Sequence, residues 1–404
     1  MTAANNIHSL LTGKTGAFID ALNPSDAVRD KILGARRDIR GHLRDRFDKL
    51  SKDASAQQAW GLLPNSVNVV QPLRLRPLFF TQGSYAYKTW NAPAHSSQEI
   101  DLDDGLYLPI SAFENAGNPR LASAALFAVV DEMLAELCRV KGWRLATDKK
   151  TCCRVHLGFG AHIDIPLYAV PDEDTRLLEK ATAAYNFRTA TGSICLAQAF
   201  DAQPELVRLD SDKVWLAHRA TGWEQSDPRK LHDWFELQVK DYGIQLRRTC
   251  RYVKAWRDWH SKDSPLSSIA IMAHVVNAFR QDEPIAGRDD LTLLAVAERL
   301  STSLAEPISN PVSPNQLLDG SLGDAERIHA LKAARQWHTE ISKSMTEIFD
   351  ASRVIETLRS QSAFGPRIPY WPHEITIEAA EKAVMSIAPA VLPTREIPNR
   401  SVSG

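Results

Sequence analysis

Two carboxylates one residue apart, Asp101 and Asp103, lie in the apolar run Glu99-Ile-Asp-Leu-Asp-Asp-Gly105. Successive side chains of a strand point to opposite faces, so the two acids share a face and Leu102 packs on the other. At about 4 Å and an effective dielectric near 20, their repulsion is on the order of 4 kcal/mol. Such a pair attracts a divalent cation, and hard oxygen ligands suit Mg2+ or Mn2+. A third acid, Asp164, sits between Ile163 and Ile165 in the segment Arg154–Tyr168. Val155, Leu157 and Phe159 alternate there, and Gly158 and Gly160 permit a bend or bulge within one strand. With the Asp164 face beside the Asp101/Asp103 face, three carboxylates would hold two ions suited to phosphoryl displacement. Upstream, the Gly83-Ser84 turn offers backbone N–H groups and a hydroxyl to a polyphosphate. Taken singly, a Gly-Ser pair is an ordinary turn and an Asp-x-Asp-Asp run a solvated loop. The order and spacing of all three set them apart.

The elements that must position these residues are legible as patterns. Residues 24–50 read as a helix, with Ile32, Ile39, Leu43 and Phe47 on one stripe. After Pro72 and Pro77, the strand-like Leu78-Phe79-Phe80 leads into the Gly-Ser turn. Residues 122–140 are helical in spacing, and Val214–Ala217 suggests a further strand. A second region opens at Ser226-Asp227-Pro228, where Ser226 or Asp227 fits an N-cap and Pro228 the first helical position. That helix runs toward His260 with a break at Gly243. Within it Arg247, Arg251 and Lys254 share a face, either as a solvated basic stripe or as a wall opposite a triphosphate. Helices follow over 266–280, 289–304 and 324–360, with a loop marked by Pro307, Pro311 and Pro314. The tail 391–404 has little that can pack, and it ends in Gly404.

Composition narrows the classes. Lys+Arg 48 against Asp+Glu 49 argues against a surface built wholly as a basic nucleic-acid footprint. No apolar run is long enough for a membrane span, and the first residues lack the features of a signal peptide. Five cysteines without a C-x-x-C pair point to reduced, buried thiols and a cytoplasmic protein.

Gly83-Ser84, Asp101-x-Asp103 and Asp164 together resemble the signature of the polymerase-β-like nucleotidyltransferase superfamily. Three longer strings resemble the bacterial cGAS-like dinucleotide cyclases, and among them the clade that makes 3′,3′-cyclic GMP–AMP. These are Gln82-Gly-Ser-Tyr-Ala-Tyr-Lys88, Pro93-Ala-His95 and Gln98-Glu-Ile-Asp-Leu-Asp-Asp-Gly105. Ser226-Asp-Pro-Arg-Lys-Leu231, the stretch Arg247–Trp256 and Leu266-Ser-Ser-Ile269 share that resemblance, which runs from about residue 20 to about 385.

The resemblance implies an α/β fold, with a polymerase-β-like nucleotidyltransferase core on a mixed sheet (1–225). A mainly helical lobe (226–390) and a mobile tail (391–404) would follow. It implies that Asp101, Asp103 and Asp164 hold Mg2+ or Mn2+, and that Gln82, Gly83 and Ser84 cradle a triphosphate. Lys254 and Ser268 would grip the phosphate tail, Ser226 and Asp227 would touch a base edge, and Tyr87 joins the nucleotide-binding set. The implied substrates are ATP and GTP, cyclised with loss of pyrophosphate for anti-phage (CBASS) signalling. An E1/E2-like enzyme conjugating Gly404 is the implied partner; an ordinary frayed end explains the tail equally well. His162, on the face of Asp164, is expected to support or pack rather than act as a base. Arg154 is expected to border the cleft, and Lys149-Lys150 to form a solvated turn. The same acids would also serve transfer of a nucleotide to RNA, protein or a small molecule. A non-catalytic nucleotide-binding protein is the remaining reading.

Overall fold

A computed structural model describes residues 5–62, 72, 74–109, 119–170, 214–226, 228–262 and 264–377. Asp227, Cys195 and the tail with Gly404 lie outside the described residues.

Among the described residues, a seven-stranded mixed sheet carries the acids. Its strands are β1 (Leu78–Gln82), β2 (Ile100–Pro109), β3 (Arg144–Ala146), β4 (Cys152–His156), β5 (Ala161–Val170), β6 (Trp215–His218) and β7 (Gly222–Gln225). The order is β1-β2-β5-β4-β3, with β6 pairing β5 and β7 pairing β6. Strands β2 and β5 run parallel; the other pairs are antiparallel. A parallel pair needs a long crossover, and this one contains helix α2 (Pro119–Lys141), which follows α1 (Asp26–Leu50) in the chain.

Alternation sorts the sheet into two faces. Leu102, Leu106, Leu108, Ile163, Ile165, Leu167, Cys153 and Val155 are buried in one cluster with Ile32, Ile39, Leu43 and Phe47 of α1. Leu126, Val130 and Leu134 of α2 join the same cluster. Both helical stripes therefore fall where their spacing predicts. The expected single bent strand over Arg154–Tyr168 is instead a hairpin. Leu157 N donates to Ala161 O at 2.9 Å, and Gly158 and Gly160 take φ of +83° and +75° between β4 and β5. Two residues with left-handed backbone close together make a tight reversal rather than a bulge. The strand expected at Val214–Ala217 is present one residue later, and it turns back into β7, a partner too short to show a period of its own.

The second core is helical. Helices α3 (Pro228–Tyr242) and α4 (Ile244–His260) are separated at Gly243, whose φ is +74°. They pack with α5 (Ser268–Gln281), α6 (Asp289–Ser303), α7 (Asp324–Thr346) and α8 (Ala351–Leu358). The expected 324–360 helix is thus two helices, with Asp350 capping the second through its bond from Arg353 N at 2.8 Å. Residues near the N-terminus differ from the expected partition at 225. Ile7, Leu10, Leu11, Phe18 and Leu22 are buried in the helical cluster, and Ile7 N donates to Asp290 Oδ2 at 2.8 Å.

His274 of α5 is 5% exposed, and its Nδ1 lies 3.1 Å from Ser303 Oγ. Burial pushes its imidazole down to about 4. The unfolded chain takes that proton near pH 6.5. The unfolded state therefore binds the extra proton across the window from about 6.5 to about 4, and stability falls as pH falls through it. The loss is on the order of 3 kcal/mol at the acid end. Urea unfolding midpoints measured from pH 7 to 4.5 should decline less steeply in His274→Gln than in the parent.

Candidate active site

The site is built in rows across the sheet, on the face opposite α1 and α2. Register places Gln82 beside Asp103, Asp103 beside Asp164 and Asp164 beside Arg154. The next row holds Asp101, His162 and His156. The three predicted acids are therefore neighbours on one face, as alternation requires. Asp104, next in the chain, points the other way and is 1% exposed. It accepts from Arg40 Nε at 2.6 Å and from Thr81 Oγ1 at 2.9 Å, which makes it an anchor between sheet and α1.

Burial and like charges on one face act together on Asp103. Burial pushes the Asp103 carboxyl well above the usual carboxylate range, and Asp101 and Asp164 add to this. Arg154 and Lys254 pull it back. Arg154 grips Asp164 with two parallel bonds, Nε to Oδ1 and Nη2 to Oδ2, both 2.6 Å. The bidentate fork is the strong form of a charge-assisted bond. Among the described residues, buried Asp101 Oδ1 has no hydrogen-bond donor, although His162 Nε2 stands 3.0 Å away. His162 Nδ1 meets Glu99 Oε2 at 2.9 Å. This histidine thus lies between two carboxylates, in a supporting position rather than facing a substrate alone. A carboxyl pushed upward by burial and by its neighbours, beside further oxygen ligands, fits a divalent cation.

The Gly-Ser segment forms one helical turn, Gly83–Ala86, directly after β1. Gly83 has φ +65°, and a Cβ there would lie 1.9 Å from Asp103 Oδ2. Only glycine lets the backbone come this close to the acid. Ser84 O accepts from Thr89 N at 2.9 Å, which closes the following loop. Gln82 and Tyr168 exchange hydrogen bonds at 3.3 and 3.4 Å. Gln82, Gly83 and Tyr87 line a cleft with Tyr107, Pro228, Arg229 and His232. Tyr87 stacks on His232 with ring centroids 5.8 Å apart; burial first, and then Asp103, raises its phenol above the ordinary value.

The helical-lobe residues are placed less directly. Ser226 precedes α3 and donates its N–H to Val214 O at 3.1 Å. Lys254 is 4% exposed, and its Nζ donates to Thr89 O at 2.7 Å. Burial, then Arg257, lowers its ammonium to about 8. The stripe on α4 is no solvated face: Arg247 Nε reaches Tyr87 O at 3.3 Å and Arg251 Nε reaches Asn91 Oδ1 at 2.9 Å. Together they tie the loop after the Gly-Ser turn to the helical lobe. Ser268 Oγ accepts from Arg257 Nη1 and Nη2, each at 3.3 Å. Lys149 and Lys150, expected in a solvated turn, give their carbonyls to Arg219 at 2.8 and 2.9 Å. Sequence reasoning left Glu99 and His156 unassigned. Their signal was present in the same alternation, since Glu99 is two before Asp101 and His156 two after Arg154.

Comparison with known proteins matches both lobes. The model of the cyclic GMP-AMP synthase DncV-like nucleotidyltransferase domain covers residues 77–168, and that of the cyclic GMP-AMP synthase C-terminal domain covers 243–376. A cyclic GMP-AMP synthase of Escherichia coli is 33% identical over 348 residues, 82% of this chain and 77% of the relative. The chain belongs to the DncV-like cyclic GMP-AMP synthase family. A cyclic GMP-AMP synthase of Vibrio cholerae serotype O1 is 29% identical over 350 residues, 77% of this chain and 79% of the relative. The fold agrees as well. The structure of Vibrio cholerae DncV cyclic AMP-GMP synthase with the linear intermediate 5′ pppA(3′,5′)pG superposes with a TM-score of 0.76 at 24% identity. That alignment covers 93% of this chain and 99% of the other. The GTP-bound form of the same enzyme gives 0.73 at 23% identity, over 92% and 98% of the two chains. This family's nucleotidyltransferase match begins one residue before β1 and ends at Tyr168 of β5, so it encloses all three acids.

Gly83→Ala should push Asp103 out of place while leaving both cores intact. Mn2+ affinity read by electron paramagnetic resonance should fall at least about tenfold, with the circular dichroism spectrum unchanged. An unaltered affinity would mean that Asp103 is not positioned by this turn.

Proposed function

We propose that this chain is a metal-dependent nucleotidyltransferase that joins ATP and GTP into a 3′,3′-cyclic dinucleotide, cyclic GMP–AMP, with release of pyrophosphate. The observation that carries the reading is the row Gln82–Asp103–Asp164–Arg154, with Asp101 on the same face, inside a chain whose two lobes both match this family. Relatives at 33% and 29% identity bear the name cyclic GMP-AMP synthase.

In this reading Asp101, Asp103 and Asp164 hold Mg2+, or Mn2+ in its place. The bound cation supplies charge neutralisation at the α-phosphate and activation of the attacking 3′-hydroxyl. The chain's own part is positioning and electrostatics. Gly83 and Ser84 present the start of a helical turn to the donor triphosphate, and Gln82 beside them orients on the Tyr168 hydroxyl. Tyr87 lines the cleft with Pro228 and Arg229, and Ser226 and Asp227, which precede Pro228 in the chain, would meet a base edge there. Lys254 spends one of its three N–H donors on Thr89 O and has two for the phosphate tail. Ser268, on Arg257, completes that wall. Residues 1–225 and 226–390 act as the two lobes of the cleft, with the N-terminal turns lodged in the second. A role in anti-phage (CBASS) signalling is what the resemblance of the sequence implies.

Incubation of the purified protein with four NTPs and Mg2+ or Mn2+, then phosphatase and mass spectrometry, should yield a resistant cyclic dinucleotide with the mass of one GMP and one AMP unit. Linear products only would replace this reading with nucleotide transfer to another acceptor. Asp101→Ala with Asp103→Ala should abolish product while the melting temperature holds or rises, since two repelling carboxylates are removed. Product from that double variant would falsify the metal-site assignment.

A further inference from the structure

A second ligand cluster adjoins the aspartates. Glu99 precedes Ile100, the first residue of β2, and shares the face of Asp101. His156 and His162 are register partners across β4 and β5, with ring centroids 5.7 Å apart. Both rings turn Nδ1 toward one carboxylate oxygen: Glu99 Oε2 lies 2.8 Å from His156 Nδ1 and 2.9 Å from His162 Nδ1. The candidate ligand atoms lie within 4.8 Å of one another. Glu99 is exposed and His156 half-buried, so the cluster opens to solvent, while His162 is 7% exposed and closes its floor.

His162 cannot satisfy both neighbours as a neutral ring alone. Its Nε2 faces Asp101 Oδ1 at 3.0 Å, and its Nδ1 faces Glu99 Oε2 at 2.9 Å. A neutral imidazole has one N–H and one lone pair, so one carboxylate always meets a lone pair. Protonation of the ring removes this conflict, and so does a metal cation on Nδ1, which leaves Nε2–H to donate to Asp101. Metal-bound histidines commonly give their other N–H to a carboxylate in this way. His156 converging on the same point supplies the second imidazole. Two imidazoles and one carboxylate suit a borderline ion such as Zn2+, with a fourth position for water, whereas Mg2+ prefers oxygen ligands.

We propose that Glu99, His156 and His162 form a transition-metal site, of the Zn2+ class, distinct from the oxygen site of the three aspartates. Binding takes the ion onto Nδ1 of each ring and onto the Glu99 carboxylate. Each ring then carries its single proton on Nε2, and any proton displaced from Nδ1 passes to solvent. Because the His162 Nε2–H then points at Asp101, an occupied site braces the first aspartate. The site stands on its own residues and does not depend on which nucleotides are joined.

The test titrates untagged protein with Zn2+ by calorimetry in millimolar Mg2+, which fills the oxygen site. One Zn2+ per chain is expected. Affinity should fall at least about tenfold in His156→Ala and in Glu99→Gln. It should be retained in Asp103→Ala, which damages only the oxygen site. Thermal melts accompany each variant, and if His156→Ala is unfolded, Glu99→Gln alone decides. Absence of Zn2+ binding under Mg2+, equal affinity in the folded ligand variants, or loss of binding in Asp103→Ala would each overturn the proposal. Co2+ in place of Zn2+ should give a visible spectrum of nitrogen ligation that disappears in Glu99→Gln or His156→Ala; a spectrum unchanged in both counts against the site.

Discussion

Parallel pairing of β2 with β5 sets Asp103 directly beside Asp164, and the rest of the molecule answers that juxtaposition. Two carboxylates forced together cost on the order of 4 kcal/mol. The opposite face of the same strands meets that cost. Leu102, Leu106, Ile163, Ile165 and Leu167 are fully buried there. Each contributes about 1.5–3 kcal/mol, so two or three of them outweigh the repulsion. Strand alternation makes the two effects inseparable: the residues that bury the sheet are interleaved with those that repel. The sheet is held in its register by apolar packing, and the acids have no means of moving apart. A site under that constraint is ready to take a cation.

Neutralisation within the chain is partial, and it is arranged so that the ligands keep their places. Arg154 holds both oxygens of Asp164 from the neighbouring strand, while Asp101 faces His162 Nε2 at 3.0 Å. Asp104 is removed to the far face by Arg40 and Thr81, so the acidic run divides between a reactive face and an anchored one. Gly83 lets the turn approach Asp103 more closely than any side chain would permit. Charge and close backbone approach together pre-organise the surroundings of Asp103.

Helix α4 links this pocket to the second core. Lys254, Arg247 and Arg251 bond to the loop of residues 87–91, Gln98 Nε2 donates to Asp258 O at 3.1 Å, and His95 Nε2 meets Trp259 O at 2.9 Å. The Gly-Ser turn is therefore fixed at one end by β1 and beyond its other end by the helical lobe. A movement between the lobes would be felt at once by the residues expected to hold the triphosphate. The N-terminal turns packed into the helical core add a second connection.

Much of this was readable from local pattern. The α1 and α2 stripes, the shared face of Asp101 and Asp103, the break at Gly243 and the apolar alternation around Asp164 depend on periods of 3.6 and 2, which a linear chain displays. The hairpin at Gly158–Gly160 was not readable, because a glycine pair marks a departure from regular strand without saying whether it bends or reverses. The part of the α4 basic stripe was also hidden, since the loop groups it holds, Thr89 O, Tyr87 O and Asn91 Oδ1, belong to residues 160 or more positions away. The expected core of 1–225 included residues 5–22, whereas Ile7, Leu10, Leu11, Phe18 and Leu22 are buried with the helices. Residue type and spacing by themselves determined which acids could act together and which face of each strand they occupy. Only the tertiary structure decided that Asp164 stands beside Asp103, that Arg154 grips it and that Glu99, His156 and His162 meet, because strand register is set by long-range packing that no local repeat encodes.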